Sequence, residues 1–356
     1  MGSAAAYELS KRGVKVLGLE QFEIANARGS SHGESRIVRR SYFEHPDYVP
    51  LLERAYRLWG ELDSSSPRAL YHQSGVLYSG YPHSAVLAGV RKSGSIYNIP
   101  LEELTPSRLK DRFPQFSLPA DFETVFEPQA GYLEVEECIR RFASLARSRG
   151  AALREGERVV SWEAGNGVAV TTDKGKYHAA KLIVTAGVWS TPLLQGINLQ
   201  VTPQRQVLSW FKASAEFSAA RGMPCFLVEG RDAIFYGFTK SSLGVKAAQH
   251  GGGTAVADPL QVDRNVSEAE VAPVRNFLKT HLPGVSSELT HTSVCMYEMT
   301  PDSHFVIDHH PNYPEITFAA GFSGHGFKFA PVIGEILADL ALEGGTERPI
   351  EFLRLR

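Results

Sequence analysis

The first twenty residues constrain the fold more than any other segment. The stretch from Gly2 to Gly13 predicts a helix, because alanine and leucine favour helices and Gly13 is a typical residue just past a helix end. Residues 14–20 follow as a short strand that ends in Glu20. A helix that begins at glycine, followed by a strand that ends in an acid at about position 20, is typical of the second half of a dinucleotide-binding βαβ unit.

The first half of such a unit does not precede this helix. It would be an apolar strand and a turn of the pattern G-x-G-x-x-G, whose amides contact a pyrophosphate at the helix N-terminus. Gly2 would be the third of those glycines. We therefore expect the chain to begin at an internal methionine, with roughly a dozen residues of strand and turn upstream. The alternative is a helix–strand pair of some other α/β protein.

Length and charge narrow the functional classes. A chain of 356 residues suggests about two domains. Its 37 basic and 39 acidic residues leave no broad field for holding nucleic acid or an anionic membrane. Because the chain also lacks a long apolar run and the order of a signal peptide, we expect a soluble, cytoplasmic protein with neither partner. Cys138, Cys225 and Cys295 are too few and too scattered for a disulfide framework or a zinc cluster.

Several separated motifs then occur in a fixed order. They read RGSSHGESRIVR at 28–39, TAGVWS at 185–190, CMY at 295–297 and GFSGHGFK at 321–328. Together they resemble the monomeric sarcosine oxidase family of flavoprotein amine oxidases, which also contains pipecolate oxidases and N-methyltryptophan oxidases. The resemblance covers nearly the whole chain. The absent first strand and glycine turn are the main departure, and they bear on the affinity for FAD.

The resemblance implies a two-domain α/β fold. Its FAD-binding Rossmann-like domain would comprise 1–72, 136–200 and 290–356. An inserted antiparallel-sheet domain for substrate binding would comprise 73–135 and 201–289. The short strand-like segments after residue 201 favour such a sheet independently of the resemblance.

The resemblance also implies a reaction. An FAD enzyme of this family oxidises the C–N bond of an N-methyl or cyclic secondary amino acid, such as sarcosine or L-pipecolate, to an imine, and O₂ becomes H₂O₂. The family carries its flavin on a cysteine thioether, and Cys295 is the matching residue. For Cys138 and Cys225 we expect only the packing of small buried side chains. The resemblance favours a monomer.

Three cations match residues that touch substrate or oxygen in the family. Arg39 and Lys328 match the pair that holds the substrate carboxylate, a role that suits a guanidinium fork and an ammonium point charge. Lys246 matches the oxygen-activating lysine. Without the resemblance, each would be an ordinary surface, strand or helix-start residue. His250 and Tyr236 align with polar walls of the site, while Leu227 stands where some members have methionine.

The cofactor contacts follow in the same way. Glu20 would accept hydrogen bonds from the adenosine ribose. We expect His325 to act through structural hydrogen bonds, since the family is thought to oxidise an amine that is already unprotonated. No HExxH pattern occurs, so a metal site is not expected. The remaining expected contacts lie along the flavin or its pyrophosphate and beside the isoalloxazine: Ser31, His32, Arg36, Ile37, Gly324, His325, Gly326 and Phe327.

Two other functions stay open at this point. A related flavin dehydrogenase or Amadori-compound oxidase would use the same chemistry on a different acceptor or a bulkier amine. A truncated, flavin-free protein that binds amino acids or a partner would account for the absent phosphate turn.

Overall fold

The computed structural model describes residues 1–194 and 196–356. The helices are α1 (Gly2–Lys11), α2 (Val49–Ser64), α3 (Ala85–Tyr97), α4 (Pro106–Arg112), α5 (Val135–Ser148), α6 (Ser190–Leu193), α7 (Glu268–His281) and α8 (Ala330–Glu343). The strands of the first half are β1 (Leu17–Leu19), β2 (Ser35–Val38), β3 (Tyr71–His72), β4 (Val76–Gly80), β5 (Glu102–Glu103), β6 (Glu123–Glu127), β7 (Gly131–Glu134), β8 (Ala152–Arg154), β9 (Val159–Gly165) and β10 (Gly167–Thr172). Those of the second half are β11 (Lys176–Ala179), β12 (Leu182–Val184), β13 (Thr202–Phe211), β14 (Cys225–Glu229), β15 (Ile234–Gly237), β16 (Val245–His250), β17 (Thr254–Ala255), β18 (Leu289–Met299), β19 (Val306–His310) and β20 (Tyr313–Ala320).

Local sequence signals explain the longer helices. The apolar positions of α2 recur at helical spacing and are all buried, while Pro50 lies in its first turn, where a missing amide is tolerated. A capping box between Ser267 and Glu270 begins α7. In α8 nearly every apolar residue is buried, and Gly344 follows it in the left-handed conformation.

The largest sheet is mostly antiparallel. Its strand order is β17-β13-β16-β15-β14-β4-β6-β5, and β18 pairs with β13. It therefore combines strands from the predicted substrate segments 73–135 and 201–289 with β18, which lies almost wholly in the predicted FAD-binding segment 290–356. The division into two domains stays a prediction.

Two short parallel strand pairs fit the α/β fold that the resemblance implied. Strand β1 pairs with β8, and β12 pairs with β20. Helix α1 packs between α5 and α8. Because β12 and β20 run in parallel, the turns that follow them leave the sheet at the same edge. Helix α1 begins there as well, since a Cβ at Gly2 would lie 2.8 Å from Oγ1 of Thr185.

Candidate active site

A cavity lies at that edge, between the parallel pair β12–β20 and the large sheet. Three parts of the chain form its wall: the segment 29–44, the turns after β12 and β20, and strands β14, β15, β16 and β18. Most of the residues predicted for the site line it, namely Ser31, Arg36, Ile37, Arg39, Tyr236, His250, Gly324, His325, Gly326, Phe327 and Lys328. Four predicted residues lie outside its lining: Glu20, His32, Lys246 and Cys295.

Arg39 follows β2 and is 3% exposed. Its Nη2 donates to both carboxylate oxygens of Glu44, at 2.6 and 2.8 Å. Its guanidinium carbon lies 4.4 Å from the ring centroids of both Tyr42 and Phe43. Burial opposes ionisation of both partners, yet their mutual attraction prevails: the pKa of Arg39 is raised, and Arg39 lowers the pKa of Glu44 to about 2. Both groups are therefore charged.

The segment that carries Arg39 is anchored from the large sheet. The buried carboxylate of Glu127 on β6 accepts hydrogen bonds from the amides of Arg40 and Ser41, at 2.8 and 3.2 Å, and from the Tyr78 hydroxyl at 3.0 Å. On the other side, the Ser93 hydroxyl of α3 donates to the carbonyl of Tyr42 at 2.6 Å. These contacts fix the backbone on both sides of the Arg39 side chain.

Lys328 lies on the turn before α8 and is 5% exposed. Its Nζ donates to the carbonyl of His325 at 2.6 Å and lies 5.1 Å from the Tyr42 ring centroid. Trp59 of α2 holds the backbone, since its indole N–H donates to the Lys328 carbonyl at 2.7 Å. Burial, reinforced by the charge of Arg39, lowers the pKa of Lys328 to about 7. The Tyr42 ring thus has a cation from each of two elements against it.

His325 has both ring nitrogens engaged. The Tyr42 hydroxyl lies 2.5 Å from Nδ1, and Nε2 lies 2.9 Å from the carbonyl oxygen of Ser303, to which only an N–H can donate. Nδ1 is then the acceptor for Tyr42. Burial lowers the pKa of His325 to about 3, so the ring is neutral. This arrangement gives it the structural hydrogen-bonding role expected from the sequence.

Lys246 lies behind the cavity wall. Its Nζ donates to the carbonyls of Gly33 at 2.7 Å and Ser35 at 2.6 Å, and it lies 3.9 Å from the Phe238 ring centroid. Burial lowers its pKa well below the ordinary value. Lys246 therefore holds the stretch of backbone that leads into Arg36, which does line the cavity.

Cys295 also lies directly behind that wall. Its Sγ is 3.3 Å from the carbonyl oxygen of Ser30 and 3.4 Å from Nη2 of Arg36, and both residues line the cavity. Arg36 donates in addition to the carbonyls of Ser30 and Ser35. Cys138 and Cys225 are buried free cysteines away from the cavity lining. Burial raises the pKa of Cys225 to about 11.

Four further predicted residues are Glu20, His32, His250 and Tyr236. Glu20 accepts from the amide of Phe22 at 2.9 Å, and burial raises its pKa. His32 is 2% exposed, burial lowers its pKa to about 3, and its Nε2 has no partner among the described residues. The Nδ1 of His250 lies 3.2 Å from the Tyr297 hydroxyl, and the Tyr236 ring packs edge-on against the His250 ring.

The cavity suits an elongated dinucleotide. It extends from Met1, at the positive end of the α1 dipole, to Lys328 before α8. Gly324 allows a close approach, because it has φ of 79° and a Cβ there would lie 2.3 Å from the Tyr297 ring. Buried polar atoms of Trp189 and Glu298, both in the lining, have no partner among the described residues. The residues present thus fit FAD.

Sequence reasoning missed part of this lining. Glu44 lies five residues after Arg39, and Phe43 directly precedes Glu44. Their closeness in sequence to Arg39 is the signal that could have identified them as site residues. Glu298 directly follows the motif that contains Cys295, and Trp189 lies inside the TAGVWS motif. None was singled out, because no pattern in the sequence distinguishes them from surface or core residues.

Among residues 1–194 and 196–356, no cluster of three or more His, Cys, Asp and Glu side chains could hold a metal ion. No described helix combines the length and the apolar composition that crossing a bilayer requires.

Comparison with known proteins agrees with this geometry. The family model described as FAD dependent oxidoreductase matches residues 1–340. Monomeric sarcosine oxidase of Bacillus sp. (strain NS-129) is 38% identical over 100% of this chain and 94% of its own length. N-methyl-L-tryptophan oxidase of Yersinia pestis (strain Pestoides F) is 37% identical, covering 95% of this chain and 91% of its own.

A solved structure extends the comparison to the fold. NikD, described as an unusual amino acid oxidase essential for nikkomycin biosynthesis, superimposes with a TM-score of 0.87 at 25% identity, over 99% of this chain and 94% of that chain. The predicted α/β fold class and the predicted resemblance are both confirmed. With FAD as its cofactor and CH–NH groups as its electron donors, this enzyme belongs to the FAD dependent oxidoreductase family.

Proposed function

We propose that this enzyme oxidises the C–N bond of an N-methyl or cyclic secondary amino acid to an imine and reduces O₂ to H₂O₂. The observation that carries the proposal is the pair of buried cations, Arg39 and Lys328, on the same aromatic ring beside the turn Gly324–Lys328. When bound, FAD accepts the hydride from the substrate. The names of the relatives, sarcosine oxidase and N-methyl-L-tryptophan oxidase, support the substrate class.

The two cations orient the substrate. A carboxylate can accept from the guanidinium and from the ammonium at once, and this fixes the rotation of the α-carbon and its nitrogen. Hydride transfer depends on such positioning. The Glu44 carboxylate already occupies Nη2 of Arg39, so an incoming carboxylate binds the remaining donors or displaces Glu44.

The amine reaches the site without a dedicated base. His325 is neutral and both its nitrogens are occupied, and His250 faces Tyr297 with a pKa that burial lowers. The substrate therefore binds as the free amine. Tyr236, His250 and Leu227 form the polar and apolar walls that surround its side chain and N-substituent.

Lys246 and Cys295 would act on oxygen and on the flavin. Lys246 would favour the reaction with O₂ electrostatically, acting from behind the backbone of Gly33 and Ser35. Cys295 would carry the flavin, since its Sγ lies directly behind the cavity wall, 3.3 Å from the carbonyl oxygen of Ser30 and 3.4 Å from Nη2 of Arg36. We further propose that the enzyme acts as a cytoplasmic monomer, for which the name monomeric sarcosine oxidase is the support.

The alternative function is that of another flavin enzyme in which the same two cations hold a different substrate or serve a different electron acceptor. A dehydrogenase or an Amadori-compound oxidase would also need the carboxylate pair, and fructosyl amine oxidases share the fold. The apolar wall of Phe43, Leu227 and Phe238 favours a small or apolar substituent over a sugar.

A substrate panel separates these possibilities. The flavin-loaded enzyme would be given sarcosine, L-pipecolate, N-methyl-L-tryptophan and a fructosyl amino acid, each with O₂ and with an artificial electron acceptor. We expect H₂O₂ from at least one of the first three substrates. Turnover with the artificial acceptor alone would indicate a dehydrogenase, and turnover of the fructosyl compound alone an Amadori-compound oxidase.

A further inference from the structure

Glu298 is a buried carboxyl group that the proposed reaction does not use. It lies near the end of β18, is 3% exposed and lines the cavity. Its Oε1 has no hydrogen-bond partner among the described residues, and no described lysine or arginine forms an ion pair with it. A carboxyl group in such a position needs a partner, because leaving a buried polar atom unpaired is unfavourable.

Two other buried polar atoms also have no hydrogen-bond partner among the described residues. The indole N–H of Trp189 and the hydroxyl of Ser190 have no partner among the residues described, and Trp189 also lines the cavity. Both follow β12, in the turn that packs against β18. The Ser190 hydroxyl lowers the pKa of Glu298, but it does not form a well-aligned hydrogen bond with the carboxyl group. Two residues of the cavity lining, Trp189 and Glu298, thus each keep a polar atom without a partner among the described residues.

The position of Glu298 indicates which part of a dinucleotide lies there. On one side is the short 3-10 helix Gly187–Trp189, next to Thr185 and the start of α1, where a phosphate is favoured. On the other side is the turn after β20, since the amide of Ser323 donates to the Glu298 carbonyl at 2.9 Å. Glu298 thus stands between the phosphate end and the turn Gly324–Lys328. The group between the phosphates and the ring of FAD is the ribityl chain, which carries hydroxyls.

We infer that Glu298, together with Trp189, binds a hydroxyl of the ribityl chain of FAD. A hydroxyl both donates and accepts, so it can satisfy the carboxyl and the indole N–H at once. The inference requires FAD in the cavity and does not depend on which amine is oxidised.

The charge state of Glu298 suits this contact. Burial raises its pKa to about 7, against the opposing effect of the Gly321 and Phe322 amides and the Ser190 hydroxyl. A neutral carboxyl group can stand near the pyrophosphate without like-charge repulsion. It also offers one O–H donor and one acceptor, as a glutamine side chain offers an N–H and an oxygen.

The test measures flavin binding to the full chain in a Cys295→Ala background, in which the flavin can dissociate. Quenching of flavin fluorescence gives the Kd for FAD, for riboflavin, which retains the ribityl chain, and for lumiflavin, which lacks it. We expect Glu298→Leu to raise the Kd for FAD and for riboflavin about tenfold, which corresponds to the loss of one hydrogen bond to a buried partner. The Kd for lumiflavin should change by less than about twofold. Glu298→Gln should stay within about threefold for all three ligands.

Control variants keep the result decisive. Glu288→Leu removes an exposed glutamate just before β18 and should change none of the three Kd values. Trp189→Phe removes the indole N–H and should weaken FAD and riboflavin about fivefold without affecting lumiflavin, so it decides the matter if Glu298→Leu fails to fold.

Two outcomes would overturn the inference. Unchanged FAD affinity in both Glu298→Leu and Trp189→Phe would mean that buried water satisfies these atoms. An equal loss for lumiflavin would mean a general distortion of the cavity. Absence of flavin binding in the parent chain is a different result, which would count against the flavin site as a whole.

Discussion

Arg39 and Glu44 form a buried ion pair in which one guanidinium nitrogen, Nη2, donates to both carboxylate oxygens, at 2.6 and 2.8 Å. The side chains are 4% and 13% exposed. The cation proposed to bind the substrate carboxylate is therefore already neutralised by a carboxylate of the same chain. If Arg39 binds the substrate carboxylate as proposed, Glu44 stabilises the guanidinium before substrate binds and competes with substrate for it afterwards.

Glu44→Gln should separate these two effects. Removing one partner of a buried pair leaves a guanidinium without its counterion, so we expect the free energy of unfolding to fall by about 2–4 kcal/mol. The non-oxidisable analogue methoxyacetate should restore more stability to the variant than to the parent. Thermal denaturation with and without methoxyacetate measures both changes.

Glu53→Gln is the matched control, because Glu53 pairs with the neighbouring Arg40 near the surface and should change stability by less than about 1 kcal/mol. Equal stabilisation of the Glu44→Gln variant and the parent by methoxyacetate would argue against competition at Arg39.

Lys328 should make carboxylate binding depend on pH. With its pKa lowered to about 7, its ammonium is present below that pH and is lost as pH rises, so methoxyacetate should bind more weakly above about pH 7. The pKa values of Arg39, Glu44 and His325 are shifted out of that window, and burial lowers the pKa of His250. Glu298 lines the same cavity and also has a pKa of about 7, so the Lys328→Met variant is needed to assign the titration. Kd values from the flavin absorption spectrum between about pH 6 and about pH 9 provide the measurement.

In Lys328→Met the Kd for methoxyacetate should not change with pH. At about pH 6 the variant should bind methoxyacetate more weakly than the parent by about tenfold or more, because one charge-assisted hydrogen bond is lost. An unchanged pH dependence in Lys328→Met would place the titrating group elsewhere.

Lys246→Met should affect only the reaction with oxygen. Lys246 lies outside the cavity lining, so reduction of the flavin by substrate without oxygen should change by less than about threefold. Reoxidation should slow by about 10²–10³-fold, the usual effect of removing one electrostatic contact to developing charge. Stopped-flow absorbance measures each half-reaction. Lys212→Met, at an exposed lysine, is the control, and parallel slowing of both half-reactions would contradict a role limited to oxygen.

Cys295→Ala should release the flavin. If the cofactor is bound through Cys295, acid precipitation of the parent leaves the yellow colour in the pellet, because only a covalent bond survives unfolding. The variant should lose the colour to the supernatant, while Cys225→Ala should behave as the parent. Colour retained by Cys295→Ala, or released by the parent, would contradict attachment at this residue.

The sequence predicted those parts of the fold that local signals determine. Helix α1 and strand β1 lie within the predicted ranges Gly2–Gly13 and 14–20, because the residues that favour each element lie inside it. Helix α3 was not predicted, since Gly89 and Gly94 lower its helix propensity. The structure explains Gly89: a Cβ there would lie 2.5 Å from the carbonyl oxygen of Phe43, so the glycine lets α3 approach the segment that carries Arg39.

The candidate site also contains residues that the sequence predicted and residues that it could not predict. Motif resemblance placed Arg39 and Lys328, and the structure brings both to the ring of Tyr42. The pairing of Arg39 with Glu44 could not be predicted, because several acidic residues lie within reach along the chain and the path of the backbone selects one. Glu298 was missed for a related reason, since its burial depends on the turns after β12 and β20 meeting at its side chain.

We propose that the cavity holds a secondary amino acid beside FAD by its carboxylate. The most direct test mixes the flavin-loaded enzyme with sarcosine, L-pipecolate or N-methyl-L-tryptophan in the absence of oxygen and follows the visible flavin absorption. We predict that at least one substrate bleaches it, that admitting O₂ restores it with one H₂O₂ formed per amine oxidised, and that Arg39→Met slows the bleaching by about 10-fold to 100-fold. A flavin spectrum that none of the three amino acids changes would contradict the account.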